Sequence, residues 1–327
     1  MQSPDLAALR DDPEWMPHRI DWQRREVEFV RIPAARLSEA GFLFEFQAES
    51  ANDTARIPLE AIAAETRAPQ NVHFIFHTAF CRSTLLARAL NIPGHSIGLS
   101  EPPIIADLAA GGEAARPVIA PLLGLLARPR QASEAVFVKP TNHANRLIPQ
   151  LLDAAPNARA ILMTNPVEPF LRSVRKRGLM GHRWGRKLFL ELQGYAGMDF
   201  GMPPEETFAM TDLQAAGAAW LLNQRYFAQL AASRFGERMR ILDGETFNAR
   251  RDETIAAVFA FCGIAASEAE RARSSANAFA THAKTGAPIE SDKHDEGLEA
   301  EIAQVRQWLD LIARQTGQAL PLAQTLR

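Results

Sequence analysis

Between Phe74 and Leu90 the chain reads FIFHTAFCRSTLLARAL. An apolar run ends at Phe76 and a helix-forming run begins near Ser83, so His77 to Arg82 must turn between them. A turn that feeds a helix N-terminus suits an anion, because the first-turn N–H groups are unpaired and carry partial positive charge. Thr78, Ser83 and Thr84 add hydroxyl donors. Arg82 adds a full charge and a two-pronged fork, and Cys81 reads as a buried structural thiol. No glycine lies between His77 and Thr84, so the expected wrap is looser, or uses ordinary backbone angles. His77 stands at the mouth of the turn, where a neutral imidazole accepts a proton. Glu101, in SEPPIIADLA, is the acid best placed near the end of the first strand, as a general base or as a pairing partner. Lys139 closes the apolar run AVFVK.

A second feature is charge. Between Glu168 and Glu191 there is no acid, yet the stretch holds Arg172, Arg175, Lys176, Arg177, Arg183, Arg186 and Lys187. Arg172 and Lys176 are four apart and share a helix face, beside Ser173. The chain as a whole has a net charge of −2, so this is local clustering rather than a polyanion-binding composition. A solvated basic face, a phosphate site and a nucleic-acid backbone all fit such a run; the near-neutral total disfavours nucleic acid.

The elements that must position these residues follow from periodicity. VHFIF, AVFVK, ARAILMT and RMRILDG are short continuous apolar runs, read as buried strands. Helical patterns follow them: STLLARALN, HANRLIPQLLDAA with a kink expected at Pro149, PFLRSVRKR with Pro169 in its first turn, a long helix from Asp212 as cap to Phe235, RDETIAAVFAFCG stopping at Gly263, and a final amphipathic helix in EGLEAEIAQVRQWLDLIARQTG. Alternating strand and helix predicts an α/β fold: three layers, αβα, around a mostly parallel sheet, of the P-loop nucleoside triphosphate hydrolase type. Ligands then sit outside the carboxyl ends of the strands. Residues 1–70 read as an N-terminal β appendage, in which EVEFVRI and FLFEFQA are expected to pair, and residues 71–327 as the α/β domain.

Against the nucleoside triphosphatase loop GxxxxGK[ST], only Thr84 matches, and the missing lysine argues against a kinase. Against a cysteine-phosphatase loop, CRS matches, but the nucleophile position is Phe76. The third comparison extends further. The loop ends Ser83-Thr84-Leu85-Leu86; Lys139-Pro140-Thr141 ends the next predicted strand; Pro156-Asn157-Ala158-Arg159 opens another, which ends Thr164-Asn165-Pro166; and GETF leads to a helix ending FCGI. In this order, over residues 71–264, the chain resembles the P-loop sulfotransferases. The resemblance implies transfer of a sulfuryl group from 3′-phosphoadenosine 5′-phosphosulfate (PAPS) to a hydroxyl or amine. It implies that Thr78, Cys81, Arg82, Ser83 and Thr84 surround the 5′-phosphosulfate. Arg172, Ser173 and Lys176 would meet the 3′-phosphate, with Lys284 folding over it. Glu101 or His77 would take the acceptor proton, and Lys139 or Arg82 would steady the leaving group. Phe80 stands where the family has a basic residue, and Thr164 where it has the 3′-phosphate arginine.

Two rivals remain open: a degenerate P-loop nucleotide- or anion-binding protein without transferase activity, and a small-molecule kinase. The eight histidines are scattered without metal-ligand spacing, so no metal is expected. Two cysteines argue for a reducing compartment. The N-terminus has no apolar signal core and no apolar stretch is long enough to span a bilayer, so a cytoplasmic protein with a small nucleotide and an acceptor as partners, and no membrane, is expected. The many Ala and Arg residues fit a GC-rich bacterial gene. The sequence does not set the oligomeric state or the acceptor.

Overall fold

The computed structural model describes residues 5–39, 42–131, 134–280 and 296–327. Its described strands form two sheets. The first is an antiparallel meander of β1 (Trp15–Asp21), β2 (Glu26–Arg31) and β3 (Thr54–Pro58). Val27 lies between Ile20 and Ile57 in register, and all three are buried, which is the cross-strand row that stabilises a small sheet. EVEFVR is the expected strand, but FLFEF is not its partner. Leu43–Glu45 is a single 3-10 turn, in which buried Phe42 stacks on Phe44 at 5.1 Å. The partner is TARIP, whose Ala55 and Ile57 alternate inward. A short aromatic-rich run does not by itself separate strand from buried turn.

The second sheet has β4 (Val72–His77), β5 (Ser96–Ser100), β6 (Ala135–Lys139), β7 (Ala160–Thr164) and β8 (Met239–Asp243) in the order β5-β6-β4-β7-β8. The pairs β4–β6 and β5–β6 are parallel, and helices flank this central sheet, so the fold is α/β. Strand order reverses around β4, the first strand of the sheet, and in open α/β sheets such a reversal marks the ligand side. Four of these strands are the apolar runs of the sequence. β5 is SIGLS, whose serines and glycine mask it. Gly98 is needed there, because a Cβ would stand 2.1 Å from the carbonyl oxygen of Ala87.

Contacts divide the chain into two compact units. One comprises Met1–Phe76, Ser83–Ile161 and Arg251–Pro288; the other comprises His77–Arg82, Leu162–Arg250 and Ile289–Arg327. In the first, Arg128 is almost fully buried and donates to the carbonyls of Leu9, Arg10, Asp12, Trp15 and Leu125. This binds the N-terminal segment to the helix Arg116–Leu126. Burial, reinforced by nearby Arg130, lowers the Arg128 pKa to about 10, so it stays charged at neutral pH. In the second, Phe170, Val174, Leu213, Trp220, Val305 and Leu309 make a core between the helices Val167–Lys176, Asp212–Ala231 and Glu296–Gln315. The long helix is capped by Thr211, not Asp212: the Thr211 hydroxyl accepts from the Gln214 N–H while the Gln214 side chain accepts from the Thr211 N–H. Asp212 is thereby left to pair with His182 and Arg186.

Candidate functional site

The turn after β4 wraps tightly, and does so with non-glycine residues. Ala79, Phe80 and Arg82 have φ of 73°, 53° and 65°, all in the left-handed region. This corrects the expectation of a looser wrap or ordinary angles. Each such residue costs about 1–2 kcal/mol, so the surroundings must hold them. Within the second unit they do. Thr78 is fully buried; its N–H donates to Met163 O at 3.1 Å and its hydroxyl to Asn165 Oδ1 at 3.2 Å. Asn165 Nδ2 donates back to Phe80 O at 3.3 Å, and Asn165 O accepts from the Trp220 indole at 2.9 Å. The Phe80 ring packs on Phe170 and Trp184, with the Arg177 guanidinium 4.6 Å from its centroid. The Ala79 N–H donates to His77 Nδ1 at 3.1 Å. Gly244 comes so near that a Cβ would lie 2.5 Å from Cys81 O. Left-handed residues are one ingredient of anion-binding nests; here the Thr78 and Ala79 N–H groups already donate within the protein.

Arg82 forms an ion pair with Glu245 at 3.1 Å, with both side chains well exposed. Cys81, Ser83 and Thr84 are buried at 1%, 5% and 4% exposure. Among the described residues, Thr78, His77 and Asn165 make hydrogen bonds that hold the turn. Ser83 and Thr84 open the helix Ser83–Ala89.

In the first unit the structure joins two residues that the sequence placed apart. Lys139 at the end of β6 is fully buried, and its Nζ donates to Glu101 Oε1 at 2.6 Å. The Glu101 N–H donates to Lys139 O at 2.7 Å, Glu101 itself is left-handed at φ 51°, and the Phe42 ring lies 5.6 Å from the ammonium. Glu101 stays about one-fifth exposed, so its carboxylate is both aimed and reachable. Nearby in sequence, Ser100 Oγ and Asn142 Nδ2 are buried without hydrogen-bond partners among the described residues.

The basic stretch does not act as one patch. Arg172 is held by Glu299 through two bonds at 2.7 and 2.6 Å, an interaction that raises its pKa. The Ser173 hydroxyl donates to Pro169 O, Arg186 is tied to Asp212, and Lys176 is exposed at the end of its helix. Lys284 lies outside the described residues. Sequence reasoning missed Asn165 and Glu245. Asn165 directly follows the buried strand Ala160–Thr164, and a polar amide at a strand end could have marked it as a loop anchor. Glu245 carried no signal before its distance from Arg82 was known. Among the described residues, no group of three or more His, Cys, Asp or Glu side chains is placed to hold a metal ion.

No protein-family model matches the chain, and no curated protein matches it significantly. Among solved structures, it is similar to the sulfotransferase domain from the curacin biosynthetic pathway, at 12% identity and a TM-score of 0.44, over 78% of this chain and 100% of that one. It is also similar to a sulfotransferase from Alicyclobacillus acidocaldarius, at 16% identity and a TM-score of 0.43, over 77% of this chain and 98% of that one.

Proposed function

We propose that the chain is a sulfotransferase-like enzyme that moves a sulfuryl group from PAPS to a hydroxyl or amine acceptor. The observation that carries this reading is the turn His77–Arg82, where three non-glycine residues are held left-handed. Backbone strain of this kind persists where the surroundings over-determine it, and it clusters at ligand clamps. The N–H groups at the start of the helix Ser83–Ala89 and the Ser83 and Thr84 hydroxyls would hold the 5′-phosphosulfate. Arg82 would join them, because its exposed pair with Glu245 is worth no more than about 1 kcal/mol and an incoming anion competes for it. In the transfer, the acceptor oxygen or nitrogen bonds to sulfur, the bond from sulfur to the bridging oxygen breaks, and that electron pair leaves on the phosphate. The acceptor proton passes to Glu101, which Lys139 holds in one orientation. His77 Nδ1 already accepts a backbone N–H, which favours Glu101 over His77 as the base. The residues fit the sulfuryl end better than the adenosine end, where Arg172 must leave Glu299 to meet a 3′-phosphate.

That second end supports one other reading, a phosphate-binding protein that performs no transfer. A thermal-shift panel with adenosine 3′,5′-bisphosphate, magnesium-ATP and sulfate, followed by transfer assays with sulfur-labelled PAPS, separates the possibilities. The proposal predicts the largest stabilisation with the bisphosphate, and labelled product with a hydroxylated or amine acceptor. A larger shift with magnesium-ATP would point to a kinase. Stabilisation by the bisphosphate with no product from a broad acceptor panel would leave a binding protein.

A further inference from the structure

The helix Gly178–Gln193 buries one face, through Gly181, Gly185, Leu188, Phe189 and Leu192. Gly185 lets it approach the helix Asp212–Ala231, since a Cβ there would stand 2.9 Å from Ala216 Cβ. The opposite face carries Leu179, Met180 and Leu190, at 71%, 71% and 65% exposure, with exposed Arg183 and Lys187 among them. The spacings 179–183–187 and 183–187–190 place these residues in one stripe. Arg175 and Lys176 are exposed just before the helix, and Arg175 and Arg183 form no ion pair with described residues. No acid interrupts the stretch before Glu191.

We propose that this stripe docks on an anionic lipid surface. Leucine and methionine gain from entering the acyl boundary while arginine and lysine meet the headgroups, the pairing of tasks expected of an interfacial helix. A nucleic-acid backbone answers only the charges. A second copy of the chain would set basic stripe against basic stripe, so self-association through this face is disfavoured. The contact is peripheral: among the described residues no helix is long and apolar enough to cross a membrane. It is independent of the transfer chemistry proposed above.

Co-sedimentation of the full chain with vesicles tests it, using phosphatidylcholine alone and phosphatidylcholine mixed with phosphatidylglycerol, at low salt. Binding is expected only to the anionic vesicles. R183Q/K187Q should weaken it about 25-fold, at roughly fivefold for each of the two charges removed near the surface, while R183K/K187R binds as the unmodified chain. L179S/L190S should weaken it as well. Thermal melts establish that each variant is folded. Absence of binding to anionic vesicles would overturn the proposal. So would full binding by L179S/L190S, which would indicate simple charge attraction, or equal binding to a polyglutamate peptide, which would assign the face to an acidic protein segment.

Discussion

Ala79, Phe80 and Arg82 show how a phosphate-loop geometry is reached without glycine. Phe80 is gripped by aromatic rings and a cation, Asn165 ties the Phe80 carbonyl to the Thr78 hydroxyl, and Arg82 pairs with Glu245 at the surface. Ala79 has only a methyl group, and it is the residue where the strain can be relieved without losing a contact of consequence. Ala79→Gly should therefore raise stability, by about 0.5 kcal/mol or more once the greater freedom of glycine in the unfolded chain is offset. The urea midpoint measures this, and a lowered midpoint would mean that the left-handed angle is not strained. The residues of this turn were legible in the sequence as candidate anion donors. Its conformation was not, because a left-handed non-glycine residue is set by contacts from Asn165, Phe170 and Trp184, which are distant in sequence. The Glu101–Lys139 pair is hidden for the same reason: the two residues lie at the ends of neighbouring strands, and the serines and glycine of β5 conceal it in the sequence.

The elements were legible where one physical signal dominated. Continuous apolar runs gave β4, β6, β7 and β8, and Gly263, at φ 70°, ends the helix Arg251–Cys262 as expected. HANRLIPQLLDAA departs in detail: Asn142–Leu147 is a 3-10 segment and the α-helix starts at Ile148, so Pro149 falls in a first turn rather than at a kink. The attachment of the N-terminal segment uses, beside Asp107 and Arg130, a side chain that no pattern marks. Arg128 satisfies carbonyls from the helix Leu6–Asp11 to the start of β1. Arg128→Met should cost about 3–5 kcal/mol, because it removes a buried charged donor and leaves those carbonyls unpaired. Urea unfolding reports the loss, and limited proteolysis should show new cleavage between residues 5 and 21. A change below about 1 kcal/mol would place the variant among ordinary surface substitutions and refute the clamp.

For the whole molecule, pH reports on the first unit through His73. Burial, with a smaller contribution from Arg159, lowers its pKa from 6.5 to about 4. Its Nδ1 accepts the Arg159 N–H and its Nε2 has no partner among the described residues. The native state thus holds a neutral imidazole while the unfolded chain takes up a proton below pH 6.5. Stability is complete above that value and falls as pH drops toward 4, by about 3 kcal/mol in total. His73→Gln should flatten this part of the curve of unfolding free energy against pH, and an unchanged slope would assign the acid sensitivity to other groups. The α/β class was readable from alternation along the chain. The strand order, and with it the reversal around β4, required the structure, because periodicity identifies strands without stating which neighbours they take.

The most direct test of the central claim is calorimetric titration of adenosine 3′,5′-bisphosphate into the intact protein and into S83A/T84V. If the turn and the first residues of its helix form an anion site, the unmodified chain binds, and the double variant binds at least about tenfold more weakly, ~1.4 kcal/mol. Equal affinities in the two proteins, or no heat from the unmodified chain at millimolar ligand, would contradict it.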